Sequence, residues 1–164
     1  MLTLVLEPLT AAAFAPYGDV LSAPPVPGER AFYADGLTPD QPDTRLSLHV
    51  NHVLPSELPF VATRMEHHPA TSQTFLPLDA SRYLVVVAGR APDGGPDPKS
   101  LRGFWSPGTQ GVTYHAGVWH HGMVVLDRPA HFAVLMWRRR EGSDDVFADL
   151  PAPVELRTRG RPSP

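Results

Sequence analysis

The 164-residue chain has no cysteine and no isoleucine, and one lysine, Lys99, among its 14 basic residues. Without cysteine there can be no disulfide framework, thiolate zinc site, iron–sulfur cluster or cysteine nucleophile. The chain also lacks an apolar run near the roughly 18 residues that a membrane-spanning helix needs. Its N-terminus carries neither a basic leader nor a long apolar segment, so a soluble, cytoplasmic protein is expected, with no membrane partner. A basic excess is missing too. Lys and Arg total 14 against 17 Asp and Glu, a net charge of −3, which argues against a general binder of nucleic acid or anionic membranes. The scarcity of Lys and Ile reads as the codon bias of a G+C-rich genome, so the abundance of Arg is not in itself a functional signal.

What is present suits one folded domain. Hydrophobic residues make up 42% of the chain and charged residues 19%, enough apolar material for a core and too little charge for a disordered polyelectrolyte. The sequence predicts a single domain over residues 1–156 and a flexible tail over 157–164, where no apolar face remains. Met1–Leu6 suits a first strand, and Thr10 can cap a short helix that Pro16 ends before Tyr17. Ser22–Glu29, with three prolines, reads as an irregular loop. From Arg45 the pattern is that of β structure: Leu46, Leu48 and Val50 alternate with Ser47, His49 and Asn51 through Val53. Further strands are expected at Gln73–Leu78, Arg82–Ala88, Gly103–Trp105, Gly111–His115, His121–Leu126 and His131–Trp137. Helical turns are expected at Leu54–Thr63 and Asp97–Leu101, with a surface loop over Asp93–Pro98. Short strands at such spacing predict a mainly β fold, a jelly roll or closed double sheet with a few short helices.

Five of the eight histidines fall in two segments, Glu66-His67-His68-Pro69 and His115-Ala-Gly-Val-Trp-His120-His121. Clustering in separate β segments matters because metal and acid/base sites are built by side chains converging from different strands. Glu66 and His68, two apart, would share a face of a strand. Gln73 lies on the far side of the Pro69–Ser72 bend, where a returning strand brings it alongside. Gly117-x-x-His120 sets a histidine just past a glycine turn. Two imidazoles, a carboxylate and an amide oxygen are a hard-to-borderline donor set that suits Ni²⁺, Mn²⁺, Fe²⁺ or Zn²⁺ without discriminating among them. A divalent metal is therefore the expected cofactor, held by Glu66, His68, Gln73 and His120, and no organic cofactor is called for. If no metal binds, the same four residues would meet substrate polar groups directly.

The two histidine segments resemble the two short motifs of the cupin superfamily, with Glu66 and Gln73 in place of its usual first His and Glu, and His115 in place of its proline. A narrower resemblance covers nearly the whole chain. Leu9…Phe14-x-x-Tyr17-Gly18-Asp19-Val20, Glu66-x-His68-Pro69-x2-Ser72-Gln73-x-Phe75-x-Pro77, Leu101-Arg102-x-Phe104 and Gln110-Gly111-Val112-x-Tyr114-His115-x3-Trp119-His120-His121 are similar to signatures of the bacterial ureidoglycolate lyases (formerly ureidoglycolate hydrolases). The resemblance implies a cupin-type jelly-roll barrel, a homodimer, and cleavage of a small-molecule substrate, (S)-ureidoglycolate, to glyoxylate and urea in allantoin and purine degradation. It departs from the family pattern where Asp-Arg-Gly-Gly often follows the last core strand, since Met136-Trp137-Arg138-Arg139-Arg140-Glu141-Gly142 stands there. His67 likewise occupies a position where Arg is common.

Such a reaction needs a base, an acid and a clamp for the substrate carboxylate. The catalytic candidates are Glu66, His115, His120 and His121. Of His120 and His121, adjacent in a strand and pointing opposite ways, His120 is expected to face the barrel interior. Tyr114 and His115 oppose each other in the same manner, and the sequence leaves the choice between them open. Gln73, Tyr114, Arg64 and Arg102 are substrate-binding candidates, the arginines as bidentate carboxylate partners, and Trp119 is either a pocket wall or plain core. Arg138-Arg139-Arg140, beside Glu141, Asp144 and Asp145, reads as a solvated, salt-bridged corner and not a nucleic-acid site. Two other readings stay open: a metal-dependent cupin enzyme for a different small hydroxy- or ureido-acid, and a non-catalytic carboxylate-binding cupin.

Overall fold

The computed structural model describes residues 1–158. Its strands are β1 (Leu2–Val5), β2 (Glu7–Pro8), β3 (Gly18–Ser22), β4 (Thr44–Val53), β5 (Phe60–His67), β6 (Gln73–Pro77) and β7 (Arg82–Ala88). They continue as β8 (Arg102–Pro107), β9 (Gln110–Tyr114), β10 (Trp119–His120), β11 (Val124–Leu126), β12 (Ala130–Arg139) and β13 (Val146–Arg157). The one α-helix among the described residues, α1 (Ala11–Phe14), starts at Thr10, whose hydroxyl accepts from the Ala13 amide at 3.2 Å. A single 3₁₀ turn covers Pro98–Ser100. Among the described residues no helix is long and apolar enough to cross a membrane.

The strands form two sheets. The smaller runs β3-β9-β6-β12-β4, and the larger runs β1-β13-β5-β10-β7-β8-β2, with β11 also paired to β7. Residues 2–8 bind both ends of the larger sheet. β1 pairs β13 in parallel while β2 pairs β8 in parallel, so one N-terminal segment draws the two edges together and nearly closes a barrel. This is the mainly β jelly roll that the strand spacing predicts, of the cupin type that the resemblance implies.

Two cores result, and β7 feeds both. Its alternate side chains Tyr83, Val85 and Val87 join Phe14, Phe75, Phe104 and Phe132 between the two sheets. Leu84, Val86 and Ala88 turn the other way, into the curl of the larger sheet, with Met65, Trp119 and Leu156. A strand buried on both faces has to read as a continuous apolar run, and Tyr83–Ala88 does. Edge-on aromatic pairs knit the inter-sheet core, with Tyr83 and Phe132 centroids 5.3 Å apart and Phe14 and Phe104 5.9 Å apart.

Three expectations need correction. Leu54–Thr63 is not helical: Pro55 bridges to Val125, and β5 begins at Phe60. Pro55 and Pro59 explain this, because each disfavours the helical region for the residue before it and lacks an amide donor. Of the stretch expected as a strand, His121–Leu126, only Val124–Leu126 is one, since β10 ends at His120 and residues 121–123 link it to β11. The long strand β13 was hidden by Pro151 and Pro153. The register with β5 shifts between Asp149 and Val154, a bulge in which prolines leave no ladder donor unpaired. Of the expected tail, Arg157 ends β13, and residues 159–164 lie outside the described residues.

Gly18 opens β3 where a Cβ would lie 1.7 Å from the Thr113 carbonyl oxygen. Gly18→Ala should therefore force β3 off β9 and remove about 2 kcal/mol or more of stability. In a thermal melt that is a drop of roughly 4–8 °C for a domain of this size, whereas an unchanged midpoint would mean that the strand edge yields freely.

Candidate functional site

The site lies between the two sheets. β10 is only two residues long, yet it is paired on both sides, with His120 opposite Glu66 of β5 and opposite Val87 of β7. That placement sets Glu66 and His120 side by side. Before β10, Gly117 adopts a left-handed turn (φ +78°), and its amide donates to the His68 carbonyl at 2.8 Å. From the facing sheet, Gln73 of β6 stands opposite Tyr114 of β9 on one side and Met136 of β12 on the other. Its amide oxygen lies 3.1 Å from His120 Nε2. His68 follows directly after β5, 96% buried, its ring centroid 5.4 Å from that of His120.

The hydrogen bonding within this cluster is incomplete. His120 Nδ1 lies 2.9 Å from the Val118 carbonyl, which it can only meet as a donor. Its Nε2 then faces the Gln73 oxygen at 3.1 Å and a Glu66 carboxylate oxygen at 3.5 Å, three acceptors converging on one point. A proton on Nε2 or a cation among them resolves the conflict. His68 Nε2 and the Tyr114 hydroxyl are buried with no hydrogen-bond partner. Asp145 sits 3.0 Å from His68 Nδ1 but out of line for a hydrogen bond. Buried polar atoms of this kind are normally paired. The donor atoms of Glu66, His68 and His120 lie within 4.8 Å of one another, and this is the one group of its kind among the described residues. A carboxylate, two imidazoles and an adjacent amide oxygen fit a divalent cation.

The surroundings bias charge. Burial works against ionisation of Glu66, but contact with His120 and the proximity of His68 outweigh it and hold the carboxyl below the usual glutamate range. Burial, reinforced by His120, holds His68 below the ordinary histidine value. The Tyr114 phenol, fully enclosed and close to Tyr83 and the Glu66 charge, is pushed well above its usual value. Its ring stacks on His120 at 4.1 Å with planes 10° apart. The site thus presents an ionised carboxylate, an uncharged imidazole and a phenol that keeps its proton.

The structure brings together Glu66, His68, Gln73, Tyr114 and His120. It places His120 inward and His121 outward, where His121 meets the Gly122 carbonyl and the edge of Phe60. Tyr114, not His115, turns into the interior, and His115 lies half-exposed 3.9 Å from Asp19. Arg102 is engaged elsewhere, with Glu7 at 2.8 Å and the Ala13 carbonyl at 3.0 Å. Arg64 is exposed and lies over the Phe147 ring. Neither arginine joins the cluster, because each lies where its strand faces away from the inter-sheet space or meets a nearer partner. Trp119 is core, packed against His67 at 4.1 Å on the opposite face from His120. Sequence reasoning missed Asp145 and Met136, the latter 3.5 Å from the Gln73 amide nitrogen. Only the turn after β12 brings Asp145 back to His68, and no local pattern signals that contact.

His67 is also held below the ordinary value, by burial and by Arg90. Both rings therefore take up protons more readily in the unfolded chain. Stability should be flat above about pH 6.5 and fall as the pH drops below it toward the folded-state values. Denaturant unfolding with chelator present, at about pH 7.5 and about pH 5, should show this loss. It should shrink in the His67→Gln/His68→Gln double variant; an equal loss in that variant would assign the effect to other groups.

A family profile described as ureidoglycolate lyase matches residues 1–155. The chain is 41% identical over 143 residues to a ureidoglycolate lyase of Burkholderia mallei, covering 82% of this chain and 82% of that one. A ureidoglycolate lyase of Stutzerimonas stutzeri is 38% identical over 145 residues, 82% of this chain and 83% of its own. One from Brucella anthropi is 37% identical over 158 residues, 90% and 89% of the two chains. With a profile match over nearly its full length and relatives at this identity, the chain belongs to the ureidoglycolate lyase family.

Proposed function

We propose that this protein is a carbon–nitrogen lyase that cleaves (S)-ureidoglycolate to glyoxylate and urea in the breakdown of allantoin and purines in the cytoplasm. The observation that carries this reading is the meeting of Glu66, His68 and His120 with Gln73 and Tyr114 between the sheets, in a chain of this family. In ureidoglycolate one carbon bears a hydroxyl, a carboxylate and the ureido nitrogen. Elimination takes the hydroxyl proton, forms the carbonyl of glyoxylate, breaks the carbon–nitrogen bond and returns a proton to the departing nitrogen. Glu66, ionised and aimed at the site, accepts the hydroxyl proton. The Tyr114 O–H, buried and unpartnered, hydrogen-bonds the ureido group while keeping its proton, and the proton taken up by Glu66 passes to the departing nitrogen as the bond breaks. Gln73 and His120, 3.1 Å apart, orient the hydroxyl from one side. A divalent metal (Ni²⁺, Mn²⁺ or Zn²⁺) held by Glu66, His68, Gln73 and His120 would supply Lewis acidity to the substrate oxygens.

Purified protein given racemic ureidoglycolate, with and without chelator, should release glyoxylate and urea in equal amounts and no ammonia. Chelation should slow it if a metal is held. Glu66→Gln should lower kcat by about 10²–10⁴-fold, the range for a lost general base, with an unchanged circular dichroism spectrum. No glyoxylate above the spontaneous rate, with metal supplied, would discard the substrate. The segment Met136–Gly142, which departs from the family string, would then favour a different hydroxy- or ureido-acid.

We further propose that the protein is a homodimer joined through β4. This strand is an edge of the smaller sheet, and Leu46, Leu48 and Val50 are 56–71% exposed on its outer face. Opposite them across the ladder stand Trp137, Leu135 and Ala133 of β12, so the apolar patch extends over two strands. A two-fold partner presenting the same strand covers both the edge and the patch. Leu48→Glu should convert a dimer to a monomer in light scattering coupled to gel filtration. A wild-type monomer would refute the assembly, and a variant that stays dimeric would move the interface elsewhere.

A further inference from the structure

Beside the cluster just described is a cavity of about 210 Å³ lined by Arg45, Met136, Arg138 and the turn through Asp144 and Asp145. Two of its walls belong to the site as well. Met136 is the 3.5 Å neighbour of the Gln73 amide, and Asp145 is the 3.0 Å neighbour of His68. Arg138 lies two residues beyond Met136 on β12, and alternation along a strand places both on the same, inter-sheet face. Arg45 of β4 stands directly opposite Arg138 in the ladder. His49, further along that face of β4, registers the charge of Arg138, which adds to burial in holding its imidazole low.

Two like charges directly opposed across a ladder repel each other, so the arrangement calls for an anion. The nearby acids do not supply it. Asp144 accepts from the Ala70 amide at 3.0 Å and lies 3.9 Å from Arg139. Asp145 is shared between His68 at 3.0 Å and the Ser143 hydroxyl at 2.8 Å. Among the described residues, neither Arg45 nor Arg138 has a carboxylate in salt-bridge contact. The arginine run thus divides: Arg139 belongs to the salt-bridged corner that the sequence predicts, while Arg138 turns back toward the site.

We propose that Arg45 and Arg138 form the carboxylate subsite of this centre. They would hold a small α-hydroxy-carboxylate by its charged end and direct its hydroxyl carbon at Glu66 and His120. This deepens the lyase reading and rests on it for the identity of the substrate. Guanidinium groups suit the task, since each can engage both oxygens of a carboxylate.

The test pairs kinetics with direct binding. In Arg138→Gln and Arg45→Gln, KM for ureidoglycolate should rise by about tenfold or more, as for loss of a charge-assisted bidentate contact, while kcat changes far less. Arg138→Lys should recover part of the loss. Arg30→Gln, an exposed arginine in the segment after Gly28, should match the wild type. Calorimetry with glycolate reads the subsite without turnover. Glycolate binding by the wild type that is lost in Arg138→Gln upholds the subsite, even if ureidoglycolate is not cleaved. In that case only the substrate reading fails. Unchanged KM and glycolate affinity in both variants, or no glycolate binding by the wild type, would overturn the proposal.

Discussion

The site depends on a strand of two residues. Trp119 and His120 form β10, which is wedged between β5 and β7 and bonded to both. Its two side chains do opposite work. Trp119 anchors it in the core inside the curled sheet, with its indole nitrogen donating to the Gly94 carbonyl at 3.1 Å. His120 is thereby turned into the inter-sheet space, beside Glu66 and under the Tyr114 ring. An unanchored pair of residues would have little reason to keep one rotation. Burying a large aromatic on one face fixes the direction of the imidazole on the other.

The wider fold serves the same end. The N-terminal segment ties β13 to β8 and curls the larger sheet, which gives it a core of its own. β7 can then spend one face on that core and the other on the inter-sheet core. The site is built where the inter-sheet core gives way to polar side chains: Gln73 lies two residues before Phe75 on β6, and His120 faces Gln73. Packed apolar residues behind and unpaired acceptors in front are a low-dielectric setting in which a proton or a cation is strongly held. That setting is what gives Glu66, His68 and Tyr114 their contrasting protonation states.

Much of this was legible in the residues. In the smaller sheet β4 declared itself by alternation, β6, β9 and β12 by short strand-like runs between turns, and β3 not at all; β7 was legible by its apolar run and the cap at Thr10 by its position. The prolines misled in two ways. Pro55 and Pro59 lie in a stretch whose composition resembles a helix but whose backbone rules exclude one. Pro151 and Pro153 disguised β13, whose bulge tolerates them only because β5 lies alongside with a shifted register. Glu66, His68, Gln73 and His120 were legible as a donor set because each sits in a polar, histidine-rich string. Asp145, Met136 and the inward turn of Arg138 were not, since their importance comes from contacts far apart in the chain.

By itself the sequence determined the class of fold, the absence of thiol chemistry and of membrane-spanning helices, the family, and which residue types were available for chemistry. These follow from composition, from period-two alternation and from short motifs, all of which are local properties. Tertiary structure alone decided which of two adjacent side chains faced the site. It selected Tyr114 over His115, where the residues left the choice open, fixed His120 in the inward position expected of it, and drew Arg64 and Arg102 to other partners. A strand offers both of its faces equally to the eye of a sequence reader. Only the second sheet, by packing against one face and leaving the other to solvent or to a separate core, makes them different.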